Sequence, residues 1–265
     1  MARRYPAWAP LMTWPLYPVY AWQGIATRLR TQRLSPPEDG PEGSIAGTGE
    51  PYRLLVIGDS SAAGVGVDRF ADSLAGQLSA MLAERTGRPV TCRAAGANSA
   101  VAAQVRDHVV PHVEPRDWTH VVLSLGTNDM KNFHTLPRFK RDFGTLVYAV
   151  RTRFPHARIY WPEMIDMRRV PAMPWVLARI LDIRADAFNA KAGRLCNERG
   201  ACLVAALQDV QPEGFSHDGF HASAAGYRAW AANLAEVILS EEEGREASDA
   251  AVAVRPDIGD TQHVG

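Results

Sequence analysis

The sequence predicts an α/β fold, a three-layer α/β/α sandwich built on a parallel sheet. Three observations lead there. Five short, nearly continuous apolar runs alternate with longer amphipathic stretches, as parallel strands covered on both faces by helices require. With 265 residues and 46% hydrophobic side chains, the chain is long and apolar enough for one large core. Polar residues also crowd just after the first three runs, beyond the carboxyl ends of the strands, where open parallel sheets bind ligands.

The chain opens on an unusual segment. Residues 5–27, "YPAWAPLMTWPLYPVYAWQGIAT", carry no charged side chain and follow Arg3 and Arg4. The length suits a membrane span, but Pro6, Pro10, Pro15 and Pro18 each remove a backbone donor and argue against a regular spanning helix. No small-residue cleavage site follows a compact leucine-rich stretch, so a removable signal peptide fits poorly. The Trp and Tyr content suits an interface, each ring pairing an apolar body with a polar tip. Two readings stay open: peripheral membrane contact through residues 5–27, and an arm folded over the apolar surface of the domain. Residues 34–51, "LSPPEDGPEGSIAGTGEP", read as a Pro/Gly-rich linker. Residues 1–50 are therefore expected to form an arm and linker, 51–241 the main domain, and 242–265 a disordered tail of low hydrophobicity.

Within the main domain the expected strands are 53–58, 89–96, 120–126, 157–162 and 201–207. The expected helices are about 70–86, 98–113, 137–154, 174–199 and 222–240. The 29 basic and 29 acidic residues balance, which argues against a nucleic-acid partner. Cys92, Cys196 and Cys202 form no CxxC pair, and none stands beside a histidine at metal-ligand spacing. That pattern suggests reduced thiols in a cytoplasmic chain, membrane-associated if the first segment binds lipid, with no metal or cofactor.

The turn after the first strand, "RLLVIGDSSAAGVGVD" (53–68), holds the most chemistry. A P-loop needs a lysine after its second glycine, and Val65 stands there. A dinucleotide crevice needs a third glycine and an acid ending the second strand, yet the second run closes on Ala94, Ala95 and Gly96. The G-x-S-x-G elbow is broken by Ala62. What survives is a serine nucleophile on a tight turn. Such a serine needs a base and an orienting carboxylate, and "HDGFHASAAGY" supplies Asp218 and His221 three residues apart. At the start of a helix, that spacing lets the carboxylate reach the imidazole. Acyl transfer also needs oxyanion donors. The Asn128 amide, after the third run, and the backbone N–H groups of Ser60 and Ser99 are the candidates.

These residues resemble the SGNH, or GDSL-type, hydrolases. "IGDSSAAG" is similar to the first block of that family, "LGTND" to its third and "DGFHASAAGY" to its fifth, in the family's order across about 53–240. The resemblance implies a flavodoxin-like SGNH hydrolase fold, with Ser60 as nucleophile, His221 as general base, Asp218 as its orienter and Asn128 as an oxyanion donor. Two positions depart from the pattern. Ser99 stands where the second block normally presents a glycine, with Gly96 as the alternative if the register is shifted. Ala222 replaces the proline after the histidine, a pre-organising rather than chemical residue.

The neighbours read as supports. Asp59 and Asp129 are expected to bond loop amides, Ser61 to cap the helix behind the turn, and His217 to be solvated. His108, His112, His120, His134 and His156 are expected at the surface or satisfied in the core. Residues 162–177, "PEMIDMRRVPAMPWVL", cover the core by default and are a candidate acyl-pocket wall. The expectation is a serine hydrolase cleaving carboxylic esters through an acyl-enzyme on Ser60. Its substrate is a small or lipid-like ester, with apolar acyl or aryl esters favoured by the aromatic arm and the Met/Trp insertion. The rivals are a carbohydrate O-deacetylase or acyltransferase of the same fold, and a membrane-tethered binding protein without activity.

Overall fold

The computed structural model describes residues 4–30 and 34–253. After a 3-10 segment at Ala9–Leu16 come α1 (Tyr17–Arg30), β1 (Glu42–Ile45), β2 (Tyr52–Gly58), α2 (Leu74–Thr86) and β3 (Val90–Gly96). Then follow α3 (Ala102–Gln104), β4 (His120–Ser124), α4 (Thr127–Lys131), α5 (Leu136–Arg153), β5 (Arg158–Pro162), α6 (Trp175–Glu198), β6 (Cys202–Val204) and α7 (Ala224–Ala253). The sheet order is β1-β3-β2-β4-β5-β6, parallel throughout except for the β1–β3 pair. Leaving the antiparallel edge aside, this is the flavodoxin-like order, and its switch point falls between β2 and β4.

Alternation along the strands builds the two outer layers. Leu55, Ile57, Val121, Leu123, Ile159 and Trp161 point into the core shared with α5 and α6. Leu54, Val56, Val122, Tyr160 and Val204 point into the core shared with α2 and α7. Every residue of β4 is buried, as expected for a central strand covered on both faces.

The structure corrects the sequence reading at four places. The linker contains β1, whose Gly and Ser carry little strand propensity; the free edge of β3 supplies the pairing. Gly43 is required there, because a Cβ would meet Phe70 Cε1 at 2.7 Å. The main domain therefore begins before residue 51. The expected helix 98–113 is broken into α3, a π-helical turn at Val105–Val109 and a 3-10 turn at Val110–His112, the last started by Pro111, which cannot donate to the preceding turn. Ser61 does not cap a helix: the cap of α2 is Ser73, whose Oγ accepts the Gly76 amide. Finally, residues 242–253 continue α7 instead of forming a disordered tail. Glu241 accepts the Tyr160 hydroxyl at 3.0 Å, and Glu242 bonds the Tyr52 hydroxyl and faces His120 Nε2 at 3.3 Å. Three polar groups at the bottom of the sheet thus hold the helix that its low hydrophobicity disguised. The rest of the expected tail, 254–265, lies outside the described residues.

The N-terminal segment packs on the domain. The Arg4 amide donates to Asp186 Oδ1 and its guanidinium to Asp182 Oδ1, each at 2.9 Å, and the Tyr5 hydroxyl reaches Asp182 Oδ2 at 2.6 Å. The rings of Trp14, Tyr17 and Tyr20 gather on Phe133 with centroids 5.1, 5.2 and 4.5 Å away. Pro10 sits at the start of the 3-10 segment and Pro18 in the first turn of α1, positions that need few intrahelical donors, while Pro15 lies inside the 3-10 segment just before α1 begins. Among the described residues no helix is long and apolar enough to cross a membrane.

Candidate active site

The residues after β2 and β4 flank the switch-point crevice, and the loop before α7 closes over it. β2 ends at Gly58, and the Asp59 amide donates to the Ser124 carbonyl at 3.0 Å, carrying the β2–β4 pairing into the turn. Ser60 follows, 92% buried, on a turn closed by Ala63 N–H donating to Asp59 O and Val65 N–H to Ser60 O. Gly96 packs against the same turn from β3. A Cβ there would meet Asp59 O at 2.3 Å and Ala63 N at 2.4 Å, so glycine is demanded by close backbone approach.

Asp218 and His221 meet before α7 begins. The pair sits in a tight loop closed by a Phe215–Ala222 bridge, with Ser216 N–H donating to His221 O at 2.8 Å. The sequence reading had put it on the first turn of the helix. His221 Nδ1 lies 2.5 Å from Asp218 Oδ2, and His221 Nε2 lies 3.2 Å from Ser60 Oγ. Asp218 Oδ1 accepts three further bonds, from Ser216 Oγ and from the amides of Phe220 and His221. Burial of this carboxylate works to raise its pKa, but the bonds from His221 and the two amides outweigh it and hold it well below the usual carboxylate range. Asp218 is therefore ionised, so His221 Nδ1 is the donor and Nε2 faces Ser60. Gly66, at φ +112°, lets the end of the nucleophile loop pass under this loop, since a Cβ there would meet Ala222 O at 2.3 Å. Tyr227 on α7 fixes the approach by donating to the Val65 carbonyl at 2.8 Å.

Asn128 lies in the first turn of α4, which starts from Gly126 at φ +124°. Its Nδ2 donates to Asp59 Oδ2 at 3.1 Å and to the Ala100 carbonyl at 3.0 Å. Asp59 also accepts the Ser61 amide and hydroxyl on Oδ1, at 3.0 and 2.8 Å. Burial pushes the Asp59 carboxyl pKa up despite the Ser61 bonds. Asp59 thus bonds a loop amide, as the sequence suggested, and Ser61 serves Asp59 and Ser124 instead of a helix. Asp129 accepts the Ala102 amide at 2.9 Å and faces His134 Nδ1 at 3.2 Å, so it too is a loop support. Arg184, buried on α6, donates to the carbonyls of Met130 in α4 and His134 beyond it, and its guanidinium stands 3.9 Å over the Phe133 ring. Burial lowers its pKa to about 10. Nothing in the sequence singles out Arg184, because the bonds it makes span 50 and 54 residues.

Ser99 is placed outside the pocket and, among the described residues, has no bond to the other site residues. It adopts φ +62°, the left-handed region that favours glycine, on an exposed turn in which the Ala100 amide donates to Ala97 O. Ser60, Asn128 and His221 line a cavity of about 440 Å³; Ser99 and Gly96 do not. The backbone N–H groups of Ser60 and Ser99 make no hydrogen bond among the described residues.

The far wall of this cavity is apolar. Met164, Ile165, Met167 and Val170 come from the 162–177 insertion, as the sequence suggested. Leu207, Val210, Phe215, Phe220 and Trp230, from the loop after β6 and from α7, were not foreseen. Glu163 also lines the cavity, 2% exposed, with its pKa raised by burial. It follows β5 directly, so the rule that pointed to the ends of the first three runs reaches it at the fourth.

Residues 56–229 match the GDSL-like lipase/acylhydrolase family. The chain belongs to that family. As a member it is an ester hydrolase. No curated protein matches the sequence. Solved structures share the fold at low identity. A lipase/acylhydrolase from Enterococcus faecalis is 17% identical with a TM-score of 0.54, covering 72% of this chain and 96% of its own. Est24, a carbohydrate acetylesterase from Sinorhizobium meliloti, is 17% identical with a TM-score of 0.55, covering 71% and 99%. An extracellular lipase from Streptomyces rimosus is 15% identical with a TM-score of 0.54, covering 69% and 98%. These similarities extend over the sandwich shared by all three.

Proposed function

We propose that the protein hydrolyses carboxylic esters of apolar acyl or aryl groups through an acyl-enzyme on Ser60. One observation carries the reading: the unbroken line Asp218–His221–Ser60, with separations of 2.5 and 3.2 Å, at the polar end of an apolar-walled cavity. His221 Nε2 takes the Ser60 proton as Oγ bonds to the ester carbonyl carbon. The carbonyl π-electrons move to oxygen, and the resulting imidazolium is stabilised by the ionised Asp218. His221 then returns its proton to the leaving alkoxide as the ester C–O bond breaks. Water, deprotonated by the same nitrogen, attacks the acyl carbon; the bond to Ser60 Oγ then breaks, His221 returns the proton to Oγ, and the acid is freed.

The oxyanion is met by the Ser60 N–H group and by Asn128 Nδ2, the two candidate donors that line the cavity. In the free enzyme Asn128 Nδ2 is held by Asp59 and the Ala100 carbonyl. Contact with the oxyanion draws one of these bonds into a shared geometry, a tightening expected between free and bound sites. Asp59 acts by aiming that amide. The Met164–Val170 wall and the aromatic rings of Phe215, Phe220 and Trp230 give the acyl or aryl part a dry surface.

The test is a series of p-nitrophenyl esters of rising chain length, run with wild type and Ser60→Ala side by side. Wild type turns over the series with kcat/KM rising from acetyl to medium chains. Ser60→Ala loses about ten-thousand-fold or more in kcat while keeping its circular dichroism. Equal turnover by both proteins, or a preference for acetyl alone, would sink the proposal.

A further inference from the structure

The N-terminal segment has two faces, and only one is used by the domain. Its inward groups, Arg4, Tyr5 and Tyr20, are bonded or packed as described above. The outward side chains are large, apolar and exposed: Trp8 61%, Leu11 67%, Met12 63%, Trp22 71%, Ile25 62% and Leu29 81%. Trp22, Ile25 and Leu29 follow i, i+3, i+7 spacing, so they form one stripe along α1. Trp175, 79% exposed at the start of α6, adjoins this helix, because Gln23 Oε1 accepts the Leu177 amide at 3.1 Å. A soluble surface seldom gathers this many large apolar groups without a partner.

The charge of the segment selects the partner. The first 37 residues hold five arginines, at 3, 4, 28, 30 and 33, and no acid; Arg4 is engaged by Asp182 and Asp186, so at most four of them meet an outside partner. Since the chain as a whole carries 29 basic and 29 acidic residues, the remainder is acidic. A two-fold pairing of this face with itself would set arginine-rich segments against each other, a repulsive arrangement. An anionic bilayer instead offers phosphates to the arginines and a headgroup boundary to the tryptophans. With no helix among the described residues long and apolar enough to cross, the geometry is that of a segment lying in the interface plane.

We propose that the outward face of residues 8–30 docks the protein on anionic lipid surfaces as a monotopic anchor. This surface binding is separate from ester cleavage, and Ser60→Ala retains it. The segment that the arm covers runs on to the catalytic crevice. The arm's rings cover Phe133, and the neighbouring Lys131 ammonium stands 4.9 Å from the Phe220 ring on the cavity wall.

Co-sedimentation of the full chain with vesicles of phosphatidylcholine alone, and with phosphatidylglycerol added, tests this. The protein is expected to partition onto the anionic vesicles, less at high salt, with a blue shift of tryptophan fluorescence. The double variant Trp22→Glu/Leu29→Glu is expected to lose at least tenfold in partitioning while p-nitrophenyl acetate hydrolysis in solution stays unchanged. Both side chains are exposed, so folding is not at stake, and circular dichroism verifies it. Absence of binding to either vesicle, or equal binding by the variant, overturns the proposal. So does binding to neutral vesicles as tight as to anionic ones. A concentration-dependent dimer in sedimentation velocity that the same substitutions abolish assigns the face to a second copy and also overturns it.

Discussion

The catalytic crevice and the N-terminal arm invert each other. In the crevice polar side chains are buried and each is answered. Asp218 accepts four bonds, Asp59 accepts three, and Asn128 donates both amide protons. In the arm the polar anchors face inward, Arg4 and Tyr5 to the buried Asp182 and Asp186, while tryptophan and leucine face solvent. The first region obeys the rule that buried polar groups must be partnered. The second breaks the rule that large apolar groups avoid water as a cluster. The difference separates a site finished within the chain from a surface that is completed by something outside it.

If the crevice acts as one bonded unit, a change of one atom at its centre should propagate. Asp218→Asn keeps the shape but offers His221 Nδ1 an amide, so the wrong tautomer is favoured and kcat should fall by about ten-thousand-fold. The same variant reports on stability. A carboxyl with a depressed folded pKa stabilises the fold above the ordinary carboxylate range and loses that contribution as pH falls through the folded value. Denaturation midpoints measured from pH 7 to pH 2 should therefore fall less steeply for Asp218→Asn than for wild type. A twofold change in kcat would show that the pair is structural and break the contrast with the arm.

A smaller effect is expected on the apolar wall. Ala225 lines the cavity from the first turn of α7. Ala225→Phe should shorten the preferred acyl chain, lowering kcat/KM for the longest ester by about tenfold, a change of roughly 1.4 kcal/mol in transition-state binding. Acetyl ester turnover should move little; an equal loss on every chain length would place the acyl group elsewhere.

The smallest effect belongs to Ser99. At φ +62° a serine is strained by about 1 kcal/mol. Ser99→Gly should raise the thermal midpoint by about 2–4 °C and leave kcat within about threefold, because Ser99 stands outside the cavity. A large loss of activity would mean that its hydroxyl takes part.

Much of the crevice could be read in the sequence because its groups are local. Ser60 follows a recognisable strand, and Asp218 and His221 are three residues apart, so spacing alone suggests contact. Asp59 and Asp129 were legible as loop supports, but the role of Ser61 and the nonlocal bonds of Arg184 were not. Ser61 looked like a helix cap because a serine after a strand most often is one, yet the chain makes a further turn and Ser73 starts α2. β1 and the extension of α7 escaped for the same reason. Their stability comes from the free edge of β3 and from Tyr52, His120 and Tyr160, which local propensity does not register. The arm's sequence admits two readings: its inward face packs on the domain, and its outward face is the one the lipid proposal concerns.

The central claim is that Ser60 is the nucleophile. Wild type treated with a fluorophosphonate and digested for mass spectrometry should carry one phosphonyl adduct, on Ser60, and Asp218→Asn should acquire it far more slowly. An adduct on Ser61 or Ser99, or none on a protein that still cleaves esters, would contradict the account.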